Sequence, residues 1–313
     1  MKSIAMALVL VQGLLTAAMA YAHWQPAAPP PPAPALAPAA WSPPGWFPDA
    51  GALSVLPDLD RAPRERKGPA VRSPAAIVAD LDAGEVLWAR DADSARSVAS
   101  LTKLAASLAM ASTQPDLDAT LCVDANLWPS RPGARSKFET GRCHTGWEFV
   151  GAALVASDNR GAMAMAPLAG LPFEAFVARM AEVSTELGLR DATWAEPTGL
   201  EDENMASARD VLKLVAAVAA HPTLSLMASA PAWTLDRWSG PTDLASTNRL
   251  HDRFDTLAAK TGYTDTAHYS FATVVTSPGG RRLGVAVLGA PTSEARFADV
   301  ARLVAWADGL SPR

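Results

Sequence analysis

The sequence predicts an α+β domain in which an antiparallel sheet, built from both ends of the folded region, packs on a helical cluster from its middle. Three observations predict it. Strand-like runs open the globular region and return near its end. Apolar residues three and four apart dominate between them. One middle helix is apolar on nearly every side, as a helix buried at the centre of a domain must be. The 313 residues are 49% hydrophobic and 19% charged, with a formal net charge of −5. That is too apolar for a disordered chain and long enough for one large domain or two modest ones. A pI near 5.6 offers no basic field for phosphates and argues against a nucleic-acid partner. The mean hydropathy of +0.07 is raised by alanine and by the first twenty residues. No later stretch reaches 18 consecutive apolar residues.

In chain order, Met1-Lys2-Ser3 is a short positive segment, Ile4 to Leu15 is apolar, and Ala20-Tyr21-Ala22 has the small-x-small pattern that a signal peptidase cleaves. Residues 1–22 are therefore expected to be a secretory signal, with an uncleaved anchor or a buried first helix as the alternatives. Export would place Cys122 and Cys143 where a disulfide can form; two buried free thiols are the other possibility. Between Pro26 and Pro74 lie 14 of the chain's 26 prolines. Residues 23–72 are accordingly expected to be a Pro/Ala-rich disordered linker, carrying Trp24, Trp41 and Trp46, and residues 73–313 the folded domain.

Within that domain, Ala75–Asp80 and Gly84–Ala89 are predicted strands joined by Leu81-Asp82-Ala83. A buried helix is expected from Ser100 to Ala111, and residues 113–145 carry no clear period. Helices follow at Gly146–Ala156, Gly161–Ala169 and Phe173–Leu187. Ser207-Ala208-Arg209-Asp210 has the form of a capping box opening a helix to Ala220. Strand-like runs then occupy Thr256–Ala259, Tyr269–Thr276 and Leu283–Leu288, and an amphipathic helix covers Ser293–Ala307.

Three short motifs carry chemistry. In Ser100-Leu101-Thr102-Lys103 the hydroxyl and the amine stand at i and i+3 of a helix and share a face. An amine in a dry site titrates low and can take the hydroxyl proton. S-x-x-K matches are common by chance, but this one draws on a chain with only six lysines. Ser157-Asp158-Asn159 offers a second hydroxyl to relay a proton and an amide to hold a carbonyl, although Ser, Asp and Asn also serve as helix caps. Lys260-Thr261-Gly262, at the end of a strand, can bind a terminal carboxylate while a peptide adds alongside; a solvated lysine at a hairpin end is the plainer alternative.

The order S-x-x-K, S-x-N, K-T-G, on the segments Val98-Ala99-Ser100-Leu101-Thr102-Lys103-Leu104, Leu154-Val155-Ala156-Ser157-Asp158-Asn159-Arg160 and Lys260-Thr261-Gly262-Tyr263-Thr264, resembles the low-molecular-weight penicillin-binding proteins. These are the serine D-alanyl-D-alanine carboxypeptidases and endopeptidases of bacterial cell walls. Glu196-Pro197-Thr198-Gly199-Leu200 with Ser207-Ala208-Arg209-Asp210 is similar to a stretch of the endopeptidase-like members, and Arg281-Arg282-Leu283 completes the match. The resemblance runs from about Ser73 to Gly309. It implies a penicillin-binding/β-lactamase-like transpeptidase fold, with Ser100 as acyl-ester nucleophile, Lys103 as its base and Ser157 as proton shuttle. It also implies Asn159, Lys260, Thr261, Gly262, Tyr263 and Arg282 around the substrate, and backbone N–H groups of Ser100 and Tyr263 as the oxyanion hole. The implied substrates are peptidoglycan peptides, with β-lactams as covalent inhibitors, in the periplasm and with at most peripheral membrane association.

Three departures stand out: Ser97 where the family commonly has proline, His268 where glycine is usual, and the irregular loop that carries the two cysteines. A class A β-lactamase shares the three motifs but needs a Glu to activate the deacylating water, for which Glu196 is the one candidate. A wall-binding or β-lactam-sensing protein that acylates without turning over is a second alternative. The five histidines have no metal-ligand spacing and there is no Gly-rich phosphate loop, so neither metal nor cofactor is expected.

Overall fold

The computed structural model describes residues 57–63, 67–124 and 136–310. The expected signal, most of the expected linker and its three tryptophans lie outside the described residues.

The central sheet has five antiparallel strands. These are β1 (Ala75–Asp80), β2 (Glu85–Arg90), β9 (Asp255–Gly262), β10 (Tyr269–Thr276) and β11 (Arg282–Ala290), in the order β2-β1-β11-β10-β9. The first strand pairs with the last, Ala75 opposite Leu288 and Asp80 opposite Leu283, so both ends of the domain meet at the middle of the sheet. Strand side chains alternate between faces, and here both faces are apolar. Ala75, Ile77, Ala79, Ala286 and Leu288 join one core, while Ala76, Val78, Val285 and Val287 join another. An antiparallel sheet so patterned must be covered on both sides.

One cover is the helical cluster. It comprises a 3-10 turn, Ala99–Leu101, leading into α1 (Thr102–Ala111), then α2 (Gly146–Val155), α3 (Asn159–Met163), α4 (Met165–Leu168), α5 (Phe173–Glu186), α6 (Ala208–Ala220) and α7 (Pro222–Ala228). All ten residues of α1 are buried, as its all-round apolar pattern predicts. Ser207 caps α6 and Asp210 closes the expected capping box. The other cover is α8 (Ser293–Asp308), whose Phe297, Val300, Leu303 and Val304 pack on Val285 and Val287.

Small two-stranded pieces complete the described residues: β3 (Arg96–Ser97) with β6 (Met205–Ala206), β4 (Thr120–Cys122) with β5 (Cys143–Thr145), and β7 (Ala232–Leu235) with β8 (Thr242–Ala245). The β4–β5 pair lies in the stretch without a clear period, and Cys122 and Cys143, directly opposite each other, form a disulfide.

Two expectations need correction. The single helix Gly161–Ala169 is two short ones, α3 and α4, that meet at Ala164. The folded domain also begins before Ser73. Leu59 is a buried core residue whose carbonyl accepts from Arg209 Nη1 at 2.5 Å, and Asp60 pairs with Lys213 Nζ at 2.7 Å. Val71 joins the second core. A proline-rich composition concealed this because only a few side chains of the segment dock. At His268 the backbone has φ +52°, the left-handed conformation for which glycine is the easy residue.

Candidate active site

The 3-10 turn and α1 place Ser100 and Lys103 one turn apart, and the fold seals the amine in. Lys103 is fully buried, and its Nζ donates three hydrogen bonds: to Ser100 Oγ at 3.0 Å, Asn159 Oδ1 at 2.9 Å and the Thr198 carbonyl at 2.6 Å. An ammonium has three protons, so every donor is satisfied. Ser100 Oγ in turn lies 3.4 Å from the same Thr198 oxygen. Burial pushes the Lys103 ammonium from its usual 10.5 down to about 8, while Glu196 and Asp158 oppose that fall. About one Lys103 in ten is therefore neutral at pH 7 and able to accept a proton from Ser100.

The second Ser–Lys pair is equally dry. Lys260, on edge strand β9, is buried, and its Nζ donates to Ser157 Oγ at 2.7 Å and to the Thr261 carbonyl at 3.0 Å. Burial, then the charges of Lys103 and Arg296, holds Lys260 well below the usual lysine range. Ser157 sits at φ +61°, a strained conformation that turns the chain sharply between α2 and α3. Asp158 caps α3 through Gly161 N and also accepts from Ser136 Oγ at 2.8 Å and Lys137 N at 2.6 Å, tying this motif to the disulfide-closed loop. Ser157 and Asn159, two residues apart, thus serve different lysines.

Gly262 ends β9 against the turn that carries Ser100, where a Cβ would come within 2.7 Å of the Val98 carbonyl. Only glycine lets the strand approach this closely. Tyr263 follows, half exposed, its ring tilted against that of Tyr269 with centroids 4.4 Å apart and its hydroxyl donating to Asp265. Thr261 Oγ1 donates to Thr247 Oγ1 at 2.8 Å, and Thr247 N donates to the Val155 carbonyl at the end of α2.

Of the sequence-predicted site residues, the structure brings Ser100, Lys103, Ser157, Asn159, Lys260, Thr261, Gly262 and Tyr263 together. Arg282 is elsewhere. It opens β11 opposite Thr276, whereas Thr261 lies opposite Phe271, five residues or about 17 Å along β10. It pairs with Asp82 on the β1–β2 turn and is largely exposed. The arginine at the site is Arg296 of α8, buried, with Nη1 donating to the Gly262 carbonyl at 3.0 Å and the Ser270 carbonyl at 3.2 Å. Its guanidinium lies 4.8 Å from the Phe297 ring centre and 5.4 Å from that of Tyr269, and burial lowers it to about 10. A signal for it was present in the sequence: a cation in the first turn of a helix opposes the helix dipole and needs outside acceptors. Thr247, on an irregular loop, left no comparable signal.

Glu196 does not have the form of a water-activating base. Its Oε2 accepts from Thr198 N at 2.6 Å, and its Oε1 accepts from Gly199 N at 2.6 Å, Leu200 N at 2.8 Å, Glu201 N at 3.4 Å and Asn204 Nδ2 at 2.7 Å.

A buried lysine on a serine one helical turn away, a second Ser–Lys pair beside it and a sheet edge that ends against that first serine define a serine acyl-transfer enzyme of the penicillin-binding type. The sequence profile of the D-alanyl-D-alanine carboxypeptidase family matches residues 62–292, and the chain belongs to that family. It is 28% identical over 245 residues to a D-alanyl-D-alanine endopeptidase of Escherichia coli, covering 76% of this chain and 78% of the relative. Against a D-alanyl-D-alanine carboxypeptidase of Mycobacterium tuberculosis it is 28% identical over 247 residues, covering 76% and 82%. Among solved structures, a D-alanyl-D-alanine carboxypeptidase of Mycobacterium tuberculosis superposes with a TM-score of 0.73 at 26% identity, over 80% of this chain and 96% of that one. A penicillin-binding protein of Listeria monocytogenes in its cefotaxime-bound form gives 0.67 at 26% identity, over 76% and 98%.

Proposed function

We propose that this peptidase hydrolyses D-alanyl peptide bonds in peptidoglycan stem peptides, as a carboxypeptidase, an endopeptidase or both, through an acyl-enzyme on Ser100. The observation that carries the reading is the contact between Ser100 Oγ and the fully buried Lys103 Nζ at 3.0 Å. In the neutral state Lys103 takes the Ser100 proton as Oγ attacks the carbonyl carbon of a D-alanine. The proton held by Lys103 then reaches the leaving nitrogen through the Ser157 hydroxyl, the C–N bond breaks, and water hydrolyses the ester, its hydroxyl joining the acyl carbon and its proton returning to Ser100. Amides of Ser100 and Tyr263 are the proposed donors to the tetrahedral oxyanion, a role that contributes about 3–4 kcal/mol per donor. Lys260, Thr261 and Arg296 surround the position proposed for the substrate carboxylate. Asn159 would hold a peptide carbonyl, and a β-lactam would acylate the same serine with its leaving group still tethered.

The saturated Glu196 carboxylate argues against the β-lactamase alternative. The test is intact mass during incubation with benzylpenicillin. A long-lived adduct on Ser100, absent in Ser100→Ala, together with release of D-alanine or of cross-linked peptides from muropeptides, is expected. An unmodified wild-type protein in the presence of intact drug would overturn the assignment. We also propose export to the periplasm, supported by the pattern of residues 1–22, which cell fractionation checks.

A further inference from the structure

The Glu196 carboxylate is nearly buried and accepts from four consecutive backbone amides, Thr198 to Glu201, and from the Asn204 side chain. Such a set of donors fixes the turn as firmly as a bound anion fixes a nest of amides. Asn204 is fully buried in its turn. Its Oδ1 accepts from Ala195 N at 3.0 Å, and its carbonyl accepts from Val98 N, two residues before the nucleophile. The turn delivers one group to the reacting centre, the Thr198 carbonyl, which accepts from Lys103 Nζ at 2.6 Å and stands 3.4 Å from Ser100 Oγ. Next to it, Gly199 at φ +82° approaches the Ala99 carbonyl so closely that a Cβ would come within 1.9 Å. The turn and the nucleophile segment are therefore locked together.

We propose that Glu196 is a positioning residue of the D,D-peptidase reaction: its carboxylate touches neither substrate nor the attacking water, but fixes the Thr198 carbonyl as the acceptor that aims the Lys103 amine at Ser100. The proposal rests on the assignment of Ser100 and Lys103 above. Without that carboxylate, the Thr198 and Gly199 amides would lose their acceptor, Leu200 N would keep only Thr198 Oγ1 at 3.2 Å, and the carbonyl would move. A displacement of about 1 Å in a catalytic group can lower a rate about a hundredfold.

Glu196 also acts on Lys103 through charge. The charged groups around the Lys103 amine are Glu196, Asp158 before α3 and Lys260 on β9. Glu196 is the larger of the two carboxylate influences that favour the ammonium. Removing its charge lets the amine lose its proton at lower pH, so the ascending, acidic limb of acylation moves down even as the rate falls. A turn that served folding alone would move neither.

The experiment follows acylation of the full chain by benzylpenicillin at a series of pH values, by intact mass, in wild type, E196Q and E196D. In E196Q, acylation is expected to slow about ten- to a hundredfold, with little change in the concentration for half-saturation and with the limb displaced to lower pH. E196D keeps the charge on a shorter arm. Its limb is expected to stay in place and its rate to fall between the other two; it decides the matter if E196Q does not fold. Acylation by E196Q at the wild-type rate with an ester that never hydrolyses would make Glu196 the water activator and overturn the proposal. So would an unmoved limb with a wild-type rate in E196Q, or a wild-type rate in E196D should E196Q not fold. A wild-type protein that forms no adduct on Ser100 would overturn the underlying assignment instead, so the two failures are distinct.

Discussion

Replacing both Cys122 and Cys143 with serine removes the cross-link and little else. Both side chains are exposed in the β4–β5 pair, so neither hydroxyl is buried. The bond closes a loop of sequence separation 21. Loop-closure entropy for that length corresponds to about 3 kcal/mol of stabilisation at 25 °C. The full amount appears only if the loop unfolds together with the domain, and the contacts favour that. Phe138 is buried and stacks on Phe149 of α2 at 4.4 Å, Arg160 Nη1 donates to the Phe138 carbonyl at 2.8 Å, and Asp158 accepts from Ser136 and Lys137. For a domain of this size the loss amounts to a fall in melting temperature of roughly 6–12 °C, measured by calorimetry on the double variant and on wild type with reductant. Because Asp158 sits between Ser157 and Asn159, acylation of Ser100 should slow in the same samples before the domain melts. A midpoint within about 1 °C of wild type in both would refute the loop-closure argument, and unchanged acylation would refute the link between this loop and the second motif.

Two further outcomes are expected. The Lys103 pKa of about 8 lies below its unfolded value, so between pH 8 and 10.5 the unfolded chain holds a proton that the native chain has released, and stability rises with pH across that window. Urea midpoints measured through this range should climb in wild type and climb less in Lys103→Met, while acylation rises through pH 8 in wild type and is lost in the variant. At the two arginines, Arg282→Ala should leave benzylpenicillin acylation within about twofold of wild type, the surface pair with Asp82 contributing under about 1 kcal/mol. Arg296→Ala, which strips the Gly262 and Ser270 carbonyls of their donor, should slow acylation at least tenfold. Equal effects of the two substitutions would contradict the placement of the site.

The three motifs were legible because each is local: one helix, one helix-to-helix turn and one strand end, with spacing that sets which side chains share a face. The sheet strands were equally legible, since Ala75–Asp80 and Tyr269–Thr276 are short runs rich in apolar and β-branched residues that a two-sided core can hold. What escaped depends on contacts between distant segments. Arg282 and Arg296 are both arginines downstream of Lys260; the pairing of β10 with β11 carries Arg282 away from the site, and the packing of α8 brings Arg296 beside Gly262. Leu59 looked like linker because docking uses one apolar side chain and three polar contacts at Leu59 and Asp60, too few to leave a period. The break at Ala164 comes three residues before Pro167, which has no N–H to give the Met163 carbonyl; that breaker was present in the sequence but passed over in an otherwise helical run.

The pairing of β1 with β11 has a kinetic consequence. Ala75 meets Leu288 across some two hundred residues of chain, and β9 joins the sheet only through β10, so the contact order is high and the sheet closes late. Helices between them can form and collapse on local contacts well before that. Ser100 and Lys103 would already be neighbours in such a collapsed intermediate, but Lys260, Gly262 and Arg296 arrive with the last strands and the last helix. On this topology the proposed nucleophile would assemble early and the groups proposed to hold a carboxylate late. A partly folded chain carries a serine with no substrate site, which leaves it catalytically silent until the topology is complete.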